Sequence, residues 1–168
     1  MKKLYELYAP AMLGLCVRYV NDCEVAKDIL HEGFIKIFRK INTYSEEGAL
    51  GGWIRRVFVT TALEYLRDDH FRQYMDIIDY EEKIETVEIS AVEKLSAEEI
   101  LQCVSELPKG YRMVFNMHAI EGYSHAEIAG MLNIKEGTSR SQFTHAKLLL
   151  QNKIQKLDIR TNVKNKYG

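Results

Sequence analysis

Residues 122–150 carry the densest chemistry in the 168-residue chain, reading Gly-Tyr-Ser-His-Ala-Glu-Ile-Ala-Gly-Met-Leu-Asn-Ile-Lys-Glu-Gly-Thr-Ser-Arg-Ser-Gln-Phe-Thr-His-Ala-Lys-Leu-Leu-Leu. Ser124 and Glu127 stand at capping-box spacing, serine first and glutamate three residues later. Ile128, Ala129, Met131 and Leu132 then supply an apolar helical stripe. Asn133 to Gly137 favours a turn, and Thr138 is expected to cap a second helix. Two short helices around a tight turn form a helix-turn-helix, whose second helix is shaped for a major groove. At about 100° per residue, Phe143, Ala146 and Leu150 share one side of that helix. Arg140, Ser141, Thr144, His145 and Lys147 fall on or beside the other. An arginine there pairs with guanine, and hydroxyls reach phosphate or base edges. The competing reading is a solvated face of an ordinary bundle.

A basic-aromatic stretch lies earlier. Gly52 to Arg67 mixes Trp53, Phe58 and Tyr65 with Arg55, Arg56 and Arg67, the composition that holds unstacked bases and their backbone. On this pattern Trp53 and Phe58 are expected in a core, while the arginines lean toward nucleic acid. Between residues 28 and 41, Leu30, Phe34, Ile37, Phe38 and Ile41 repeat at helical spacing and form a core stripe. Opposite them lie Asp28, His31, Glu32, Ile35 and Arg39. An apolar Ile35 among charges is either a lone surface isoleucine or part of a docking face.

These residues need helices to position them, and the chain reads as all-α. Helices are expected over 2–20, 24–42, 51–73, 95–106, 109–120, 124–132 and 138–156, with a break at Leu107-Pro108-Lys109. Two small helical modules, 1–75 and 95–158, flank an acidic linker at 76–94, and residues 159–168 are expected to fray. The net charge of −1 is segregated. Residues 76–99 hold 9 acidic and 2 basic side chains, whereas residues 100–168 hold 10 basic and 5 acidic. A near-neutral average is therefore compatible with DNA binding, because the relevant charge is local.

No apolar run approaches the ~20 residues that span a bilayer. The apolar stretch after Lys2-Lys3 is interrupted by Glu6 and lacks a small-x-small cleavage site, so a first core helix is expected there. The 3 cysteines, Cys16, Cys23 and Cys103, show no close-paired metal spacing and read as packed thiols of a cytoplasmic protein. The 5 histidines show no metal-protease spacing, and no phosphate-binding glycine loop or nucleophile elbow occurs. An enzyme is therefore disfavoured, and no cofactor, metal or small-molecule substrate is expected.

With both modules read, the chain resembles a bacterial sigma factor of the extracytoplasmic-function type, from Leu4 to about Leu157. Asp28-Ile-Leu-His-Glu-Gly-Phe-Ile-Lys-Ile-Phe38 is similar to the family's conserved region two, whose acidic, amide-rich helix docks on the clamp helices of core RNA polymerase. The resemblance implies that Asp28, His31, Glu32, Ile35 and Arg39 bind polymerase. It also gives Trp53, Arg55, Arg56, Thr60 and Arg67 to melting and reading the minus-ten element, with the loop from about Asn42 to Gly51 forming part of a base pocket. Leu107-Pro108, Glu121-Gly-Tyr-Ser124, Glu127-Ile-Ala129 and Gly137-Thr-Ser-Arg-Ser141 are similar to conserved region four, which reads the minus-thirty-five element and meets the polymerase flap. Thr138, Ser139, Arg140, Ser141, Thr144, His145 and Lys147 are its implied DNA contacts. If His145 meets phosphate, affinity is expected to rise toward pH 6, where histidine gains charge.

The Gly-Thr-Ser-Arg-Ser-Gln wording is similar to a branch found in Bacteroidetes. Where the family usually has asparagine and aspartate this chain has Thr60 and Glu64, and His145 stands in place of an arginine. The implied partners are core polymerase, promoter DNA and an anti-sigma factor, often membrane-anchored. A helix-turn-helix regulator acting without polymerase is the alternative, and it would leave the docking helix unused.

Overall fold

The computed structural model describes residues 1–45, 48–67 and 96–167, with side chains as far as residue 157. Every regular element among them is helical, in agreement with the all-α expectation. The chain divides into two compact units, Met1–Arg72 and Gln73–Gly168. The expected linker at 76–94 lies outside the described residues, as do residues 68–73 of the expected third helix.

The first unit holds α1 (Lys2–Val20), α2 (Cys23–Lys40) and α3 (Leu50–Leu66), with one 3-10 turn at Ile41–Thr43. Asn21 closes α1 in the left-handed region, φ 56°, and returns its N–H to the Val17 carbonyl. Asp22 then opens α2, its Oδ1 accepting from the N–H groups of Glu24 at 2.8 Å and Val25 at 3.1 Å. Three spare backbone groups are thereby satisfied within two residues, which lets α2 fold straight back on α1.

The expected core stripe is in place. Leu30, Phe34 and Ile37 are buried, and Phe38 and Ile41 are half-buried. Met12, Leu15 and Cys16 of α1 and Ile54, Phe58 and Ala62 of α3 are buried as well, and the three helices pack against one another. Cys16 and Cys103 are buried, and burial pushes the Cys16 thiol up to about 12. Cys23 differs from the expectation of packed thiols: it is exposed at the start of α2.

Gly33 sets the spacing of α2 and α3. A Cβ at this position would fall 2.3 Å from the nearest ring carbon of Phe58, which is fully buried and meets Phe34 edge-on at 5.3 Å. The buried ring would have to shift, and overpacking of this kind costs ~1–3 kcal/mol. Gly33→Ala should therefore lower the urea or thermal midpoint of this unit. An unchanged midpoint would mean that the two helices separate at no cost.

The second unit holds α4 (Ala97–Ser105), α5 (Lys109–Phe115), a π-helical turn (Asn116–Ile120), α6 (His125–Leu132) and α7 (Glu136–Tyr167). Ser96 and Glu99 form a full capping box at the start of α4, with Ser96 N–H donating to Glu99 Oε2 at 2.8 Å and Glu99 N–H donating to Ser96 Oγ at 3.2 Å. The break at Leu107-Pro108-Lys109 is where the sequence placed it. Across it, the buried Arg112 donates to the carbonyls of Ser105 at 2.8 Å and Leu107 at 3.3 Å, satisfying the spare acceptors at the end of α4. Cys103, Val104, Leu107 and Tyr111 close a core with Ala146 and Leu150 of α7.

The helix-turn-helix is α6, a short turn and α7. The expected capping box is formed: Glu127 N–H donates to Ser124 Oγ at 3.2 Å, and Ser124 N–H to Glu127 Oε2 at 2.9 Å. Asn133 ends α6 in the left-handed region at φ 55°, and Ile134 N–H returns to the Ala129 carbonyl at 3.0 Å. The second helix then starts earlier than expected. Ser139 N–H already donates to the Lys135 carbonyl at 3.2 Å, so Gly137 and Thr138 lie inside α7 and Thr138 is not its cap. The reason is that Asn133 alone makes the turn, leaving Glu136 free to sit at the positive helix end. The far end is also corrected. Helix α7 runs on to Tyr167 through residues expected to fray, because no proline or glycine interrupts 138–167.

Candidate nucleic-acid and polymerase interfaces

Helices α2 and α3 leave a groove of ≈ 320 Å³ between them. Trp53, Arg56, Val57, Thr60, Thr61 and Glu64 line it from α3, at the spacing of a single helix face. Lys36, Arg39 and Lys40 line it from α2. Trp53 is half-buried and packs on Tyr44 with ring centroids 5.6 Å apart, so it forms a wall of the groove instead of a core residue.

The groove's polar groups are held in place. Lys36 Nζ lies 2.6 Å from Glu64 and 3.7 Å from Glu32, and it donates to Thr61 Oγ1 at 3.4 Å. Thr60 and Thr61 each donate their hydroxyl to the helix, at 2.9 Å to the Arg56 carbonyl and 2.8 Å to the Val57 carbonyl. Each hydroxyl proton is thus spent; Thr60 is exposed and keeps its oxygen as an acceptor, whereas Thr61 is buried and accepts from Lys36. An aromatic wall beside Lys36, Arg39, Lys40 and Arg56 is the chemistry that holds a base by stacking and its phosphates by charge.

Of the residues expected to meet melted DNA, the groove brings together Trp53, Arg56 and Thr60. Arg55 is half-buried and Arg67 caps the end of α3, and neither is in its lining. Glu64, of the family's melting motif, joins them, and Lys36, Lys40 and Thr61 are additional lining residues. On α2, Asp28, His31, Glu32 and Ile35 are all exposed along one side, Ile35 by 44%. Arg39, expected with them, lines the groove as well, so it stands where the two surfaces meet.

On α7, Arg140, Ser141, Thr144 and Lys147 are exposed. Arg140 pairs with Glu136 one turn before it, and Thr144 Oγ1 donates to the Arg140 carbonyl at 3.0 Å. Lys147 Nζ sits 5.1 Å from the centre of the Phe143 ring. Three expected contacts differ. Ser139 is fully buried, with its hydroxyl 2.9 Å from His125 Nδ1, and is not available to DNA. Thr138 is half-buried. His145 is half-buried and stacks on Tyr111 at 5.7 Å and 18°.

Among the described residues no group of three or more His, Cys, Asp or Glu could hold a metal ion. Nor is any described helix long and apolar enough to cross a membrane.

Comparison with known proteins agrees with this layout. Residues 4–72 match Sigma-70 region 2, and residues 97–150 match Sigma-70, region 4. The ECF RNA polymerase sigma-E factor of Haemophilus influenzae is 29% identical, over 93% of this chain and 90% of that protein. Its namesake in Escherichia coli is also 29% identical, over 89% of this chain and 84% of that one. The sigma factor RpoE of Bartonella quintana, solved in complex with the anti-sigma factor NepR, shares the fold with a TM-score of 0.56 at 19% identity, covering 94% of this chain and 97% of that one. The chain belongs to the sigma-70 family and is a transcription initiation factor of its extracytoplasmic-function type.

Proposed function

We propose that this factor docks on the clamp helices of core RNA polymerase through Asp28, His31, Glu32 and Ile35, holds the melted strand of the minus-ten element in the α2–α3 groove, and reads the minus-thirty-five element with the outer face of α7. The groove carries the reading: one aromatic wall and four cations meet a single carboxylate, Glu64, already held by Lys36. It acts by capture and has no catalysis of its own. An unstacked base held on Trp53 offsets an unpairing cost of a few kcal/mol, roughly. Arg55 and Arg67, outside the groove, would meet the DNA backbone.

Residues 1–75 and 95–158 act as separable modules joined by the acidic segment 76–94. The factor works in the cytoplasm, where polymerase and promoter are. An anti-sigma factor would restrain it by covering the exposed side of α2, and the flap of polymerase would meet the second module.

The test is promoter opening. Base–aromatic stacking contributes ~1–3 kcal/mol per base, or roughly 5- to 150-fold in the open population. Trp53→Ala holoenzyme should therefore leave duplex promoter binding nearly intact and lose open complexes on that scale, seen as reduced permanganate reactivity of unpaired thymines. Open complexes at the unaltered level would remove Trp53 and its groove from melting.

A further inference from the structure

The inner side of the helix-turn-helix carries an aromatic cluster that none of the roles above uses. His118, on the π-helical turn, and His125, at the start of α6, stack with ring centroids 4.2 Å apart at 21°. Phe143 of α7 meets His118 edge-on at 4.6 Å and His125 at 5.7 Å. His125 Nδ1 lies 2.9 Å from Ser139 Oγ, and Ser139 is fully buried. His118 Nδ1 lies 2.7 Å from the Tyr123 carbonyl. A carbonyl only accepts, so that nitrogen carries the proton.

Ser139 and Phe143 are one helical turn apart on the inner side of α7, and His125 touches both. Two fixed points on one side of a helix set its roll and tilt, and so set where Arg140, Ser141 and Thr144 aim. A base-reading arginine needs such support, because a bidentate pair with guanine tolerates little misplacement.

We propose that His118, His125 and Ser139 are positioning residues for the recognition helix, and that the stacked imidazole pair makes reading of the upstream element fail on acidification. The inference rests on the reading that the outer face of α7 meets that element. Two imidazolium rings at this separation repel, and the charged groups facing them add to the imbalance. From α7 these are Glu136, which favours a proton on His125, Arg140, which opposes it, and Lys147 across Phe143. On α6 itself, Glu127 is engaged in the capping box with Ser124.

Burial, then the charges of His118 and Arg140, hold His125 below the usual histidine range. The folded unit therefore binds fewer protons than the unfolded chain. Its stability is complete above about pH 6.5, the ordinary histidine value, and declines as pH falls toward the lower folded value. This sign is opposite to the rise expected from a phosphate contact by His145, whose ring is engaged with Tyr111.

The experiment compares holoenzymes made with the full-length chain on its mapped promoter. His118→Phe keeps an aromatic partner for His125 and removes the second charge. Between about pH 8 and pH 5.5 the unaltered protein should lose more affinity than His118→Phe, which removes the charge of His118 and leaves the burial of His125 in place.

At about pH 8, His125→Phe keeps the stack but loses Ser139, and it should discriminate poorly between the promoter and variants at the base Arg140 reads. His125→Asn, which restores a hydrogen-bonding group near the same position, should recover discrimination. Thermal melting checks each variant, and Ser139→Ala replaces His125→Phe if the latter does not fold. Parallel pH profiles for the unaltered and His118→Phe proteins, with full discrimination by His125→Phe or Ser139→Ala, would overturn the proposal. A chain that fails to bind its promoter even at about pH 8 would instead overturn the reading of α7 on which it rests.

Discussion

Replacing Asp28, Glu32 and Ile35 together with alanine should abolish binding to core RNA polymerase while the protein stays folded. All three are exposed on the outward side of α2, whereas Ala26, Ile29, Leu30, Gly33, Phe34 and Ile37 on the other side are buried. Removing exposed side chains away from the core changes stability by about 0.5 kcal/mol or less. Glu32 faces Lys36 at 3.7 Å, but Lys36 keeps its closer partner Glu64 at 2.6 Å. Binding is a different matter. Hot-spot residues at the centre of an interface cost ~2 kcal/mol or more each, so losing three removes several decades of affinity. Fluorescence titration against core polymerase measures the loss, and circular dichroism checks the fold. A folded triple variant with unchanged affinity would remove this face from docking.

The second large effect is expected on α7. If Arg140 pairs with a guanine, Arg140→Ala should cost ~1–3 kcal/mol and relax specificity at one promoter position. Its pairing with Glu136 is no obstacle, since both groups are exposed and such pairs contribute only ~0–1 kcal/mol. Lys147 lies two turns further along the helix, where backbone contact is the natural role. Lys147→Ala should weaken all sequences alike and lower the salt slope by about one charge. The two variants differ in kind, and binding to promoter variants over a salt series separates them. An Arg140→Ala protein that keeps full discrimination would mean that another side chain reads the bases.

Local signals in the sequence carried much of this structure. The Ser124–Glu127 box, the Pro108 break and the Leu30–Ile37 stripe are each written within a dozen residues, and each stands where it was expected. The groove was less legible because its walls lie on two helices. Lys36 and Glu64 are 28 residues apart, and no periodicity within one helix shows that they meet. Arg39 shows the same limit: helical position put it beside Ile35, but packing also turned it toward Trp53.

Ser139 is a different kind of miss. It stands one turn before Phe143 and two before Ala146, so its place on the inner side of α7 was readable. Hydroxyls of DNA-binding helices commonly reach phosphate, but this one turns inward to His125. Gln142, also buried, belongs to the same side. The early start of α7 depended on Asn133 adopting φ 55°, which an asparagine permits but does not require.

This chain directs core polymerase to promoters that it recognises with both units. Transcript start sites mapped after overexpression supply a promoter, and run-off transcription from purified core polymerase tests it most directly. Transcripts should appear from the mapped start only when polymerase and this factor are both present, with the strand around the minus-ten element open. Tight, sequence-specific binding to the upstream element by the factor alone, with no association with core polymerase and no initiation, would contradict it and leave a helix-turn-helix regulator that acts by itself.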